Sequence, residues 1–577
     1  MKIRSFLASM LAVAALASCS NENEGPDVNP GDADVAYLSL HVVTPYGTPT
    51  RAPGSSEQPA TPDENAVNSL YLVTFDAANK IVNPAASKPY ATVVATTPNT
   101  MTAPDAIKVS AKTANLLLIA NPGDDLFAVL ENAYTGMTYA DLNQAIALAF
   151  TENTSRKPET LVDELRTLTG LKNNASPNYK DFTMINVDDL VSAGTIYTVG
   201  SDTEAQAKAK AEQNRITVRV ERLTSKIQVG INSGGVTVLP AGAKFTQSSA
   251  DFWTIDVWNS TFFPYAQKHF LTQTHTPSLG FYDKAFYTVD PNYTGNAGLK
   301  YNTLVAPSMA PNVTWMGNNT VDYCIENTME APEQRFKNAT RIIIKGEYWP
   351  ADVTQTGDWF RYGNKNYDAL SDLHDEFDAF VITIDNYNAI EAGGGTLSAA
   401  QLNNKAKIQR FFAACEVFYN NVRTQLLATR GSIPSGAVNF KGLTETDLLA
   451  VQNGGEVVKD ENGCIRWYQN GLNYYYYEMR HDNTTEVTMD NYKYGVVRNN
   501  WYVLTLNSVS GPGTPWYPSI NPDPDPAHPE YPDPKPDPKD PDNPTPDPED
   551  PIDQEYGYLG ISVNVAPWIY WTNGIDL

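Results

Sequence analysis

Ala36-Tyr37-Leu38-Ser39-Leu40-His41-Val42, near the start of the chain, and Leu559-Gly560-Ile561-Ser562-Val563-Asn564-Val565, near its end, carry one pattern. Ala36, Leu38, Leu40 and Val42 alternate with polar or aromatic residues, as do Leu559, Ile561, Val563 and Val565. A period of two puts four apolar side chains on one face of an extended strand. Between the first strand and the body lies Thr50-Arg51-Ala52, a basic site in a stretch rich in Pro, Thr and Ser. Such a stretch is accessible to proteolysis. One strand can therefore be cut away after Arg51, leaving Ala52 as a new N-terminus, and a strand of like pattern can take its place.

The N-terminus reads as a targeting segment. Lys2 and Arg4 precede an apolar run, Phe6 to Leu16, that is too short for a permanent membrane span. It ends in Leu16-Ala17-Ser18-Cys19, which resembles a bacterial lipobox with Cys19 as the acylated residue. The alternative is an ordinary secretory signal in which Cys19 is incidental. Ser20-Asn21-Glu22-Asn23-Glu24 reads either as a surface-sorting signal or as a plain spacer. The expected location is that of an outer-membrane lipoprotein precursor that becomes a surface structure.

The formal net charge of -25 repels nucleic acid, and no Lys/Arg cluster offsets it. Thirty-two Tyr against 20 Phe and 10 Trp suit strands with one wet face. Cys324, Cys415 and Cys464 are too few and too scattered for a zinc site. Buried free thiols are the default reading; one pair could also bridge, and the spacing does not say which. The six histidines lack metal-ligand spacing, and no nucleophile elbow or phosphate-cradling loop is present. No metal, cofactor or catalytic site is expected. His374, in Asp372-Leu373-His374-Asp375-Glu376, reads as part of a solvated charged segment, and Gly393-Gly394-Gly395 as a turn.

Along the chain, residues 1–19 form the signal and 20–51 a propeptide with the detachable strand. Residues 52–220 and 221–513 form two β-rich domains, 514–552 a spacer and 553–577 the C-terminal strand. Asn115-Leu116-Leu117-Leu118-Ile119-Ala120 is apolar enough for a central strand covered on both faces. Two helices are expected in 138–171, from Leu142, Ile146 and Phe150 and from Leu161, Leu165 and Leu168. A longer helix follows the Ser398/Gln401 capping box, with Ile408, Phe411, Cys415, Phe418, Val422 and Leu426 as its core stripe. Tyr474-Tyr475-Tyr476-Tyr477 reads as a strand with tyrosines on both faces; a sugar-stacking platform is the other reading. From Pro522 to Pro551, thirty residues hold 13 Pro, ten Asp/Glu and two Lys. This composition builds no core and extends to roughly 90 Å at about 3.1 Å per residue.

Several segments together resemble the type V pilin, or fimbrillin, family of Bacteroidota. They are Arg466-Trp467-Tyr468-Gln469-Asn470-Gly471 through Tyr474-Tyr475 and His481, then Tyr494-Gly495-Val496-Val497-Arg498-Asn499-Asn500-Trp501-Tyr502 and Ser508-Val509-Ser510-Gly511-Pro512-Gly513. Phe182-Thr183-Met184, Val220-Glu221-Arg222 through Lys226-Ile227, Tyr323 to Thr328, and Ile561 to Trp568 match in order. Length and layout are similar to major subunits of short (minor) fimbriae; the long Pro/Asp spacer departs from the pattern. The resemblance implies a mainly β fold of two tandem transthyretin-like β-sandwich domains with helical insertions. It also implies lipidation at Cys19, cutting between Arg51 and Ala52 by an arginine-specific protease, and polymerisation by donor-strand exchange. The lost strand would carry Ala36, Leu38, Leu40 and Val42, and the donor Leu559, Ile561, Val563 and Val565. Implied partners are copies of itself head to tail, anchor and tip fimbrial subunits, and host or bacterial surface receptors. Other readings are a tip or anchor subunit, or a surface glycan-binding lipoprotein; Arg51 speaks against an anchor and the patterned C-terminus against a tip.

Overall fold

A computed structural model describes residues 35–43, 58–59, 64, 67, 69–83, 90–91, 94–97, 100–102, 105–122, 126, 129–130, 132–149, 182–187, 190–199, 202–259, 263, 267–268, 288–294, 301–302, 315–335, 338–451, 465–481, 493–515 and 559–569. The fold is mainly β, with several sheets and few helices.

The chain opens with β1 (Val35–Leu38) and β2 (Leu40–Val43). They are one run, but it changes sheet at Ser39. Next come β3 (Gln58–Pro59), β4 (Ser69–Phe75), β5 (Thr100–Thr102), β6 (Ile107–Ser110) and β7 (Asn115–Ala120). Helix α1 (Tyr139–Ala149), β8 (Met184–Asn186), β9 (Tyr197–Thr198), helix α2 (Glu204–Gln213) and β10 (Ile216–Arg222) follow. One sheet has the order β9-β1-β6, and the other contains β4-β7-β8-β10-β2-β5. The expected two-sided strand is β7: Leu116, Leu118 and Ala120 enter the core between the sheets, while Leu117 and Ile119 pack with Leu142 of α1. The helix expected around Leu161, Leu165 and Leu168 lies outside the described residues.

A second set of sheets begins after Leu223. It contains β11 (Thr224–Ile231), β12 (Trp253–Asp256), β13 (Val321–Ile325), β14 (Arg341–Trp349), β15 (Trp359–Tyr362) and β16 (Lys365–Tyr367). Helices α3 (Leu370–Ala392) and α4 (Ala399–Arg430) form an antiparallel hairpin, followed by β17 (Arg466–Tyr468), β18 (Leu472–Glu478), β19 (Asn500–Val509) and β20 (Leu559–Ile569). One sheet runs β13-β11-β19-β20-β3; in the facing sheet β14 is flanked by β12 and β18. Ile227, Val229, Leu504 and Leu506 meet Trp253, Ile342 and Ile344 between them. The small sheet β16-β15-β17 carries the hairpin. In both sets the first strand runs parallel to the last body strand: β2 along β10, and β11 along β19.

Helix α4 begins at the expected capping box, with Ser398 Oγ accepting from the Gln401 amide. Its stripe is buried at Ile408, Phe411, Cys415, Phe418, Val422 and Leu426. Gly393, Gly394 and Gly395 form the expected turn, and Gly394 has φ +78°, a conformation that favours glycine. The segment around His374 differs from expectation, because it is the first turn and a half of α3. His374 Nε2 donates to the Phe440 carbonyl at 3.0 Å, and its ring stands edge-on to Phe440. The four tyrosines lie on β18, and Tyr474, Tyr475 and Tyr476 are buried. Cys324 and Cys415 are free and buried, and burial pushes the Cys324 thiol up to about 12; Cys464 lies outside the described residues.

Candidate functional site: the two terminal strands and the segment between them

Ala36, Leu38, Leu40 and Val42 all point into the first core and are at most 1% exposed. The alternation survives the sheet change because β1 and β2 contact the same core from its two walls. β1 is hydrogen-bonded on both sides, with Ala36 opposite Val109 of β6 and Thr198 of β9. β2 is likewise enclosed: Leu40 pairs with Ile216 and Val42 with Val218 of β10, while Val42 also faces Met101 of β5. At the crossover the Ile216 amide donates to the Ser39 carbonyl at 2.8 Å. Tyr37 faces the other way, onto Ala207 and Ala211 of α2, and its hydroxyl donates to Glu204 at 2.7 Å. Burial and the Glu204 carboxylate raise the Tyr37 pKa. Removing β1 and β2 would unpair edges of β5, β6, β9 and β10 and open the core along its length.

The C-terminal strand is seated differently. β20 pairs antiparallel with the chain's own β19, from Val509 opposite Leu559 to Asn500 opposite Pro567. The strand lies on its own chain's sheet, a placement that the sequence reading did not foresee. Leu559, Ile561 and Val563 are only partly buried against the second core; Val565 stands opposite Tyr502 in the register. A bulge interrupts the ladder between Leu506 and Ser508, where Asn507 Nδ2 donates to Ser562 Oγ at 3.0 Å. Gly560 sits at the bulge, where a Cβ would fall 2.2 Å from Ser508 Oγ. Among the described residues, the outer edge of β20 pairs with β3 alone, with Gln58 opposite Trp568 and Pro59 opposite Ile569.

Just beyond β3, Glu64 anchors the intervening segment. Its Oε1 lies 2.7 Å from Lys226 Nζ and accepts from the Tyr323 hydroxyl at 2.6 Å. Its backbone carbonyl accepts from Arg222 Nε at 2.9 Å. The Lys226 ammonium also lies 3.8 Å from the centre of the Trp501 ring. Burial holds Lys226 below the usual lysine range, and Glu64 opposes that shift. Burial likewise pushes Arg222 down to about 10, against the Glu64 charge. This junction joins the two sets of sheets, since Tyr323 and Trp501 also border the first core. Sequence reasoning missed Glu64: a single acid in a polar stretch carries no periodic signal.

Cys19, Arg51, Ala52 and the Pro/Asp spacer lie outside the described residues. Among the described residues no group of three or more His, Cys, Asp or Glu is placed to hold a metal ion. The aromatic and glycine residues quoted above around Arg466 to Gly513 tie β17 and β18 to the segment that follows β19. The Tyr468 and Tyr475 hydroxyls donate to the carbonyls of Gly513 and Gly511 at 2.9 and 3.1 Å. A Cβ on Gly513 would lie 2.3 Å from the Tyr474 carbonyl. The Tyr502 hydroxyl of β19 accepts from the Val497 amide at 2.8 Å and lies 2.7 Å from His481 Nδ1.

The described residues thus begin in a strand enclosed on both sides and end in one that pairs with the chain's own β19. Residues 36–222 match the family model described as major fimbrial subunit protein (FimA), and residues 466–574 match that described as major fimbrial subunit protein type IV, fimbrillin, C-terminal. The chain belongs to the fimbrillin family. Among solved structures it is similar to a fimbrilin (FimA) from Porphyromonas gingivalis, at 12% identity over 93% of this chain and 99% of that one, with a TM-score of 0.32. It is also similar to a protein from Parabacteroides distasonis assigned to cell adhesion, at 10% identity over 95% and 100% of the two chains, TM-score 0.38. The tip fimbrial protein Mfa3 from P. gingivalis matches at 11% identity over 82% and 95%, TM-score 0.28. No curated protein matches the chain.

Proposed function

We propose that this chain is the repeating subunit of an adhesive cell-surface fimbria, polymerised by donor-strand exchange after a single proteolytic cut. It is exported as a lipoprotein acylated on Cys19. An arginine-specific protease cuts between Arg51 and Ala52, and the strand bearing Ala36, Leu38, Leu40 and Val42 leaves. The vacated groove takes the strand bearing Leu559, Ile561, Val563 and Val565 from another copy. The two sets of sheets are read as tandem transthyretin-like sandwiches, divided between β10 and β11. Anchor and tip subunits complete the fibre, whose targets are host or bacterial surface receptors. The role is structural rather than catalytic.

The observation that carries this reading is the unequal seating of the two terminal strands. The first is enclosed in the core of one set of sheets, whereas the second lies on a sheet edge with its apolar face partly exposed. Burying four aliphatic side chains of the donor gives roughly 6–12 kcal/mol before ordering costs, at about 1.5–3 kcal/mol each. Strand addition also restores the open ladders. A head-to-tail contact between identical copies does not close, so it propagates as a filament. The position of β20 on β19 serves as its storage site in the precursor.

Electron microscopy of the full chain before and after limited trypsin treatment tests the reading. Filaments are expected from the wild type after the cut and not from Arg51→Ala. A cut wild-type protein that stays monomeric at high concentration would refute it.

A further inference from the structure

The α3–α4 hairpin is the largest element that the strand-exchange reading leaves without a role. Its root is well packed, with Phe380 edge-on to Phe411 and Phe377 against Phe412. Beyond that root, no third layer covers its outer half among the described residues. Between Leu373 and Ile408 the only buried side chain is Leu397. The outer half is held by surface contacts, including Lys405 to Glu391 at 2.7 Å and Asn404 Nδ2 to the Tyr387 hydroxyl at 3.1 Å. Helix α3, with 23 residues, reaches about 35 Å at about 1.5 Å per residue. Nine large hydrophobic residues are exposed among the described residues, and five lie on this hairpin: Val381, Ile382, Ile390, Leu402 and Leu427.

The charges indicate what covers it. Helix α3 carries six carboxylates and neither Lys nor Arg, whereas α4 carries five Lys or Arg and one Glu. In a chain of net charge -25, α4 is net basic. The most exposed apolar residue on α3, Ile382 at 63%, has Asp378 four positions before it, already paired with Lys441 at 2.7 Å, and Asp385 three after. On α4, Leu427 has Arg423 four before it and Arg430 three after. Residues at these spacings share one helix face. One helix thus presents an apolar centre between two carboxylates, and the other an apolar centre between two guanidinium groups at identical spacing. Within one hairpin the two triplets cannot meet, because Ile382 lies level with residues near 409 in the antiparallel pair that joins Phe380 to Phe411.

We propose that the hairpin is a docking arm between copies of this chain, in which the Asp378–Ile382–Asp385 face of one copy packs antiparallel on the Arg423–Leu427–Arg430 face of another, with Asp385 opposite Arg423. Each copy offers one acidic and one basic helix, so the contact is heterologous and links arms in series at low ionic strength, and at higher salt it is screened out, leaving strand exchange as the source of filaments. It is separate from strand exchange and needs no proteolytic cut. In a fibre it would join neighbouring subunits or adjacent shafts side by side.

Sedimentation velocity on the uncut full chain tests this apart from polymerisation, so failure of the fibre reading would leave the result intact. The wild type is expected to self-associate at low ionic strength and to dissociate as salt rises. Ile382→Asp, Asp385→Arg and Arg423→Asp should each weaken association by about tenfold or more, with helical circular dichroism unchanged. An equimolar mixture of the last two variants restores both charge pairings and should recover association. The proposal is overturned if the wild type stays monomeric at low salt, if the three substitutions leave association intact, or if the mixture associates no better than its components.

Discussion

Glu64 Oε1 and Lys226 Nζ stand 2.7 Å apart, each with only 4% of its side chain exposed, at the point where the two sets of sheets meet. The pair holds Glu64, 13 positions after the proposed cut at Arg51. With β3 lying on β20 a few residues earlier, the same segment touches both the junction and the C-terminal strand. Removing one partner of a buried pair leaves the other charge without compensation, at a cost of about 3–5 kcal/mol. Glu64→Ala should therefore lower the stability of the uncut chain by that order in chemical denaturation. Adding Lys226→Met should return most of the loss. Equal stabilities for the wild type and Glu64→Ala would show that Lys226 does not depend on the Glu64 carboxylate.

Cutting should leave Ala52 as the first residue of assembled fibres. Arg51 lies between Pro49 and Pro53 in a stretch whose composition suits an exposed loop. N-terminal sequencing of purified fibres reads the outcome directly. A shaft whose subunits still begin at Cys19 would contradict the proposed maturation.

Cys19→Ala should block lipidation and surface display while leaving the body folded, because residue 19 precedes the first strand of either core by 16 positions. Metabolic labelling with a fatty acid, together with circular dichroism of the purified variant, checks both halves. Normal fibre display by the variant would make the lipobox incidental.

Acid should loosen the root of the helical hairpin through His374. Burial, and then the Lys441 charge, hold its pKa below the usual 6.5, against the Phe440 carbonyl, Asp378 and Asp375. The folded pKa is thus lower than the unfolded one, so folding excludes a proton. The contribution to stability is fully present above 6.5 and is lost as pH falls through the folded pKa. Thermal melts followed by helical circular dichroism, at about pH 7.5 and about pH 5, should show a smaller loss in His374→Gln than in the wild type. An identical loss in both would assign the acid sensitivity to other groups.

Much of this was legible in the sequence, and the omissions have physical causes. Strand alternation reports which side chains face a core, so Ala36, Leu38, Leu40 and Val42 were readable. It does not report which sheet receives them, so the change at Ser39 was not. Helix α4 showed its cap and its stripe. Helix α3 carried an equally regular stripe, Leu373, Phe377, Phe380, Ile384 and Tyr387, but the carboxylates around His374 drew the reading toward a solvated segment. The seat of β20 depends on pairing with β19 across more than fifty residues of sequence, and no local pattern encodes that. Glu64 is a single polar residue whose partners come from β11 and β13, so only the tertiary structure reveals it.

Val563→Asp should abolish polymerisation and leave a soluble, folded monomer. Val563 lies at the centre of the apolar face of β20, opposite Leu504 in the register and partly buried against the second core. In the precursor a carboxylate there can turn toward water, because the strand lies on an edge, so the expected effect on the body is a loosened β20. The sheet beneath is still held by β11 along β19. In an acceptor groove the same position must sit where Ala36, Leu38, Leu40 and Val42 are at most 1% exposed. An unpaired carboxylate there costs several kcal/mol, comparable to the whole gain from the aliphatic face. Electron microscopy after trypsin treatment, with thermal melts of the uncut protein beside it, separates the outcomes. Long filaments from the cut variant would rule out donation by this strand. Loss of the folded body would mean that β20 is integral to its own sheet rather than stored on it.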